Sequence, residues 1–117
     1  MTTVSRRVGV FGGAFDPPHR AHVALVEAAV QTLQLDAVYV VPTGEAAHKA
    51  PAKTAAAHRL AMARLAFADV PQAIVDDCEV LRRGPSLMVD SLAALSEKDR
   101  NATKPQQTNV AWYLIIG

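Results

Sequence analysis

Short apolar runs alternate with stretches of helical period along the 117 residues of this chain, and that alternation predicts an α/β fold built on a parallel sheet. Two observations carry it further. The first apolar run, Val8 to Phe11, ends in Gly12-Gly13 and passes through Asp16-Pro17-Pro18 into a helical period, as at the strand-to-helix turns of open α/β sheets. A second run, Ala37 to Val41, follows that helix and completes a βαβ unit. Half of the residues are hydrophobic, enough for one core without disulfide or metal staples, so residues 1–117 are predicted to form a single domain. The expected architecture is Rossmann-like, a doubly wound parallel sheet.

Each element follows from its residues. Val8 to Phe11 has the β-branched bias of a buried parallel strand, and the glycines that end it tolerate positive φ. Val23, Val26, Val30 and Leu33 recur at helical spacing, which predicts a helix over about residues 21–34 with His19 and His22 in or just before its first turn. Ala37 to Val41, closed by Pro42, is the second strand. Thr43 to Lys53 is a loop carrying Gly44, His48, Lys49 and Pro51 just beyond that strand's carboxyl end, where ligand loops of such sheets lie. On composition alone Lys49 is a solvated loop lysine. Thr54 to Ala68 is an alanine-rich structural helix with Ala56, Leu60, Ala63 and Phe67 on one stripe, Arg59 and Arg64 elsewhere, and His58 off the stripe.

Ala73 to Val75 is a short third strand. The Asp76-Asp77 pair after it is read as solvated rather than as a metal site. Arg82 to Ser86 forms a turn whose Ser86 caps a helix carrying Val89, Leu92 and Leu95. Ser96 to Thr108 is polar without an apolar period, and is read as a helix end running into a flexible loop. Asn109 to Ile116 is a fourth buried strand ending at Gly117. Returning beside the first strand, it makes the strand order reverse there, and ligands of open α/β sheets bind at that switch point, which brings Gly12 to His22 and Gly117 to one site.

The handover after Val8 to Phe11 has the physics of an anion site. A helix N-terminus presents N–H groups without internal partners and a partial positive charge, and glycines let a ligand approach the backbone. Residues three apart share a helix face, so His19 and His22 can donate to one phosphate, and near pH 7 the anion favours their charged form. A metal reading of the pair lacks a third ligand nearby. A GxGxxG dinucleotide site does not fit either, because the glycines stand at 9, 12 and 13 and Pro42-Thr43 occupies the place of a ribose-binding carboxylate.

Composition narrows the partners. A formal net charge of +1 with no Lys/Arg block indicates neither nucleic acid nor a membrane surface, which leaves small molecules. Cys78 is the single cysteine, so there is no internal disulfide framework, a reducing compartment suits it, and catalysis by it is not expected. Met1 to Arg7 lacks the apolar core of a signal peptide and no run is long enough to span a bilayer, so a cytoplasmic location is expected. A homo-oligomer is compatible with all of this.

The run Gly12-Gly13-Ala14-Phe15-Asp16-Pro17-Pro18-His19-Arg20-Ala21-His22 resembles the GGxFDPxHxGH signature of the nucleotidyltransferase superfamily, in particular the bacterial nicotinate-nucleotide adenylyltransferases. Ala21 stands where the signature has a glycine between the histidines, a small residue that a helix accepts. The resemblance implies transfer of the adenylyl group of ATP to nicotinate mononucleotide, giving nicotinate adenine dinucleotide and pyrophosphate in NAD biosynthesis, with Mg²⁺ arriving with ATP and no covalent enzyme intermediate. It implies that His19 and His22 hold the triphosphate, that Gly12, Gly13, Ala14 and Phe15 offer backbone contacts, that Asp16 fixes the turn, and that His48 and Lys49 approach the phosphates from the second loop.

A weaker match covers Pro85-Ser86-Leu87-Met88-Val89-Asp90-Ser91-Leu92, which resembles the PSYTxDTL segment that lies beside nicotinate mononucleotide in that family. Ser86, Leu87 and Met88 are its substrate-side positions, with Leu87 and Met88 standing where the family has tyrosine and threonine. The run ending at Gly117 resembles the family's FIIG strand. The family is longer and its serine-rich, arginine-containing phosphate motif has no counterpart here, so a fold with its C-terminal part missing is expected. Two other readings stay open: another transferase of the superfamily, phosphopantetheine or cytidylyl, the pantetheine branch being disfavoured by His19 where it has threonine, and a nucleotide-binding module without catalysis, favoured by the expected missing C-terminal part and by Leu87-Met88.

Overall fold

A computed structural model describes residues 6–46, 55–81, 85–86, 88–102 and 109–116, with backbone alone at 45–46, 85–86 and 88–89. Its elements are β1 (Arg6–Gly13), α1 (Arg20–Leu33), β2 (Ala37–Pro42), β3 (Glu45–Ala46), α2 (Ala56–Ala66), β4 (Ala73–Val75), α3 (Cys78–Leu81), β5 (Pro85–Ser86), α4 (Met88–Ala102) and β6 (Val110–Ile115). The main sheet has the order β4-β2-β1-β6 with every pair parallel. β6 returns beside β1, and the order reverses there as expected.

β1 and β2 alternate between two buried faces, the demand that a parallel sheet covered on both sides makes of its central strands. Phe11, Val38 and Val40 face one way and pack with Val26 of α1, Leu35, Phe67 and Val70. Val8, Val10, Tyr39 and Val41 face the other way and pack with Leu95 of α4. Helices therefore cover both faces, and the sheet is doubly wound. Gly9 lies where a Cβ would stand 2.9 Å from Leu35 Cδ1 and 3.0 Å from Ile115 Cδ1, so a side chain there would push on packed methyls.

Several sequence expectations change. β6 is an edge strand rather than a buried one, with Leu114 exposed by 54% and Ile116, just past its end, by 80%. The polar stretch after Leu95 is a helix end, as expected, and runs to Ala102, while residues 103–108, expected to form the loop, lie outside the described residues. Ser91, Leu95 and Asp99, spaced four apart on α4, are all buried, and because two of the three are polar the stripe carries no apolar signature. Ser86 lies in β5, paired with Ala46, and α4 begins at Met88, so Ser86 does not hold the cap position. That pairing also puts a two-residue strand, β3, inside the stretch expected to be loop. The proposed turn at 82–84 lies outside the described residues.

Asp99 explains the length of α4. Its carboxylate accepts from Arg6 Nη2 at 2.7 Å, Arg6 Nε at 3.1 Å and the Tyr39 hydroxyl at 2.9 Å, which ties the helix to β1 and β2. The Asp99 bond raises the Arg6 pKa further, and burial followed by the bond to Asp99 pushes the Tyr39 phenol well above its ordinary value. Removing the carboxylate strands two donors in a mostly buried place. Asp99→Ala is therefore expected to destabilise the fold by about 3 kcal/mol and Tyr39→Phe by about 1 kcal/mol, read from urea denaturation midpoints.

Candidate active site

The carboxyl end of β1 runs into a turn whose shape is set by Phe15. Its backbone has φ of 50°, a left-handed conformation that a bulky residue adopts at a cost of about 1 kcal/mol or more. Packing offsets that cost. The Phe15 ring is buried and meets Phe11 (5.4 Å), His22 (5.2 Å) and Phe67 (6.1 Å) edge-on. Gly13 makes room for it, since a Cβ there would stand 3.2 Å from Phe15 Cζ. The Asp16–Pro17 peptide is cis, and Asp16 is half-buried.

His19 is the N-cap of α1 and His22 is its third helical residue. The His19 N–H donates to His22 Nδ1 at 2.8 Å, while the His22 N–H donates to the His19 carbonyl at 3.0 Å. A ring nitrogen that accepts carries no proton, so the neutral His22 ring bears its hydrogen on Nε2 and offers it as a donor. The two imidazoles stack with centroids 5.3 Å apart. Burial, and then the neighbouring His19, lower the His22 pKa. In the protein alone His22 thus leans toward neutrality, the opposite of the charged form expected beside a bound anion. No acidic residue stands in the first turn of α1 to offset its positive end.

Arg59 lies in α2 as its sequence predicts, but on the buried side of the helix rather than away from the apolar stripe. It is 3% exposed, and its Nη1 donates to the carbonyls of Ala14 at 2.9 Å and Thr43 at 2.7 Å. The Thr43 N–H donates to the Gly13 carbonyl at 2.9 Å. The turn after β1 is thereby stapled to the exit of β2. A signal for this existed in the sequence, because Arg59 precedes the buried Ala63 and Phe67 by one and two four-residue steps and so shares their face.

Among the predicted site residues, Gly12, Gly13, Ala14, Phe15, Asp16, His19 and His22 come together at this end of the sheet, with Phe15 as a buried wedge besides any backbone part it plays. His48, Lys49, Leu87 and Gly117 lie outside the described residues. Ser86 and Met88 are described by backbone alone. The β3–β5 pair joins Ala46, just ahead of Lys49 in the chain, to Ser86. β6 reaches the same end, where Ile115 pairs with Phe11.

The acidic pair after β4 is not a solvated one. Asp76 is buried, accepts from Lys98 Nζ at 2.9 Å and 3.0 Å, and caps α3 through the Cys78 N–H at 2.9 Å. Burial lowers the Lys98 pKa, but its bond to Asp76 and the charges of Asp76 and Asp77 outweigh that and leave it raised. No group of three metal-ligating side chains occurs among the described residues. Burial and then Asp76 push the Cys78 thiol up to about 11, which keeps it protonated. His58 is exposed on α2, as expected. No described helix is long and apolar enough to cross a membrane.

Comparison with known proteins adds to this geometry. A family model described as cytidylyltransferase-like matches residues 10–117. A probable nicotinate-nucleotide adenylyltransferase of Albidiferax ferrireducens is 62% identical over 87 residues, which are 74% of this chain and 44% of that protein. One of Laribacter hongkongensis is 42% identical over 118 residues, covering 100% of this chain and 51% of its own length. The chain spans about half the length of the curated relatives it matches. In structure it is similar to Plasmodium falciparum nicotinic acid mononucleotide adenylyltransferase complexed with NaAD, with a TM-score of 0.63 at 17% identity over 93% of this chain and 50% of that one.

The lowered pKa of His22 fixes the sign of a pH effect. Between the folded value and about pH 6.5 the unfolded chain binds the additional proton, so this group contributes stability above pH 6.5 that is lost as the pH falls through the folded value. His22→Gln keeps an acceptor for the His19 N–H but does not titrate. Urea midpoints followed down from pH 7.5 to 5 are expected to fall less steeply in that variant, and superimposable profiles would remove His22 from the account.

Proposed function

Because the chain belongs to the cytidylyltransferase-like family, we propose that it carries the triphosphate-binding half of an adenylyl transfer site whose acceptor is nicotinate mononucleotide. The observation that carries this reading is the stacked His19–His22 pair on the positive end of α1, with the His22 tautomer held by the His19 N–H. It sits at the carboxyl end of β1, where the strand order reverses, the place at which open α/β sheets take their ligands.

In the reaction a phosphate oxygen of nicotinate mononucleotide attacks the α-phosphorus of ATP. A new P–O bond forms, the bond from the α-phosphorus to the bridging oxygen breaks, and pyrophosphate leaves with the electron pair. Such chemistry needs positioning and neutralisation of charge more than any covalent participation by the protein. His22 donates from Nε2 to a phosphoryl oxygen, His19 donates beside it, and the α1 terminus and the N–H groups of residues 12–15 supply fixed partial charge. Asp16 holds the turn, Lys49 meets the phosphates from the loop after β2, and Gly117 belongs to the nucleotide side of the site. Mg²⁺ enters with ATP as part of the substrate. Bound anion shifts His22 toward its charged form, and the second proton then displaces the His19 N–H from Nδ1, so triphosphate binding and the cap are linked.

Ser86, Leu87 and Met88 border the acceptor in this reading. ATP, a soluble metabolite, and the protonated lone thiol of Cys78 agree with a cytoplasmic setting. A nucleotide-binding module without turnover is the second reading, favoured by hydrocarbon side chains at Leu87 and Met88 where the related segment has hydroxyls.

Pyrophosphate release from ATP, with nicotinate mononucleotide, nicotinamide mononucleotide and phosphopantetheine offered separately, decides between them. Release with nicotinate mononucleotide is expected, and ATP binding without release from any of the three would favour the module. His22→Ala is expected to lower turnover about 100-fold or more with unchanged circular dichroism. Near-normal turnover in that variant would refute the role of His22.

A further inference from the structure

We propose that Arg59, although it lies in α2 behind the turn, is a positioning residue that aims the Phe15 N–H at the bound phosphates. The proposal rests on the triphosphate reading above and adds a residue to it. In a trans peptide the C=O and N–H point in opposite directions across one plane. Arg59 Nη1 draws the Ala14 carbonyl inward at 2.9 Å, so the N–H of the same peptide, that of Phe15, is turned away from α2. The second bond of Nη1, to the Thr43 carbonyl at 2.7 Å, anchors the guanidinium on the exit of β2, and the Thr43–Gly13 bond closes the frame.

The orientation needs such a hold. With φ of 50°, Phe15 is in a conformation that its own backbone disfavours, and rotating the Ala14–Phe15 peptide by half a turn returns φ to the ordinary negative region. That rotation exchanges the two ends of the peptide. The anion would then meet the Ala14 carbonyl, which repels it, in place of a donor. Ring packing fixes the Phe15 side chain but leaves the peptide before it able to rotate, whereas Arg59 grips the carbonyl itself. Arginine suits this because its fork of N–H donors serves two carbonyls from one rigid plane, and a lysine ammonium on a flexible stem does not hold that geometry as firmly.

The test uses inorganic tripolyphosphate as the probe, with ¹⁵N-labelled protein and titration followed by NMR and calorimetry. In the unaltered chain the Phe15 amide is expected among the most strongly shifted resonances. Arg59→Met is expected to weaken tripolyphosphate binding about tenfold or more and to abolish the Phe15 response, while adenosine affinity stays the same and circular dichroism remains native. Arg59→Lys is expected to fall between the two, and serves alone if Arg59→Met does not fold. Native affinity in either folded variant would overturn the proposal, as would weakened binding that leaves the Phe15 response intact. If the unaltered chain fails to bind tripolyphosphate at all, the triphosphate reading falls and this proposal with it. If it binds with an unmoved Phe15 amide, only this proposal falls.

Discussion

β1 is paired on both edges and covered on both faces, and the remainder of the fold is arranged to satisfy that one strand. Its ladders with β2 and β6 fill the backbone groups on either side, and its residues must alternate between two apolar layers without a polar interruption. The demand ends abruptly at Gly13. Beyond it the chain leaves the sheet between two neighbours whose own ends are fixed, so the turn emerges in one place and one direction. Phe15 then serves as the wedge that converts the last buried layer of the sheet into the floor of the site, touching Phe11 below, Phe67 from the α2 side and His22 above.

Where order matters most the molecule uses buried polar groups tied to distant ones. Arg59 reaches the Ala14 and Thr43 carbonyls, and Asp99 reaches Arg6 and Tyr39. Glu79 accepts from Ser91 at 2.6 Å with both residues buried, which fixes α3 to the first turn of α4. Burying such groups carries a desolvation penalty, so each is strongly destabilising to break even where its net contribution is small. Apolar packing sets the layers, and these bonds set how the loops leave them.

The same division decides what the sequence could reveal. β1, α1 and β2 were legible because their apolar residues recur at the spacing of a strand, a helix and a strand, and the turn between them was legible because Gly12-Gly13, two prolines and the histidines are local signals. The return of β6 beside β1 followed from topology. What stayed hidden were residues whose burial depends on partners far along the chain. Asp99 looks solvated in sequence, since a charged side chain gives no sign of the guanidinium or phenol it will meet tens of residues away, and for Arg59 the helical spacing reveals the buried face but not the two carbonyls it meets there. Asp76 is hidden for the same reason, its partner Lys98 lying in a polar helix end with no apolar period to mark its buried face. The exposed apolar edge of β6 follows from its place as the last strand of residues 1–117, while its apolar run by itself reads as a buried strand.

The Asp76–Cys78 corner has a practical consequence. A half-buried thiol held protonated to about pH 11, and the single cysteine of the chain, resists alkylation and oxidation for as long as α3 and α4 stay docked on the sheet. Its reaction with a maleimide is therefore slower in the folded chain than in the unfolded one, and the difference reports on the docking of α3 and α4 on the face of the sheet opposite α1.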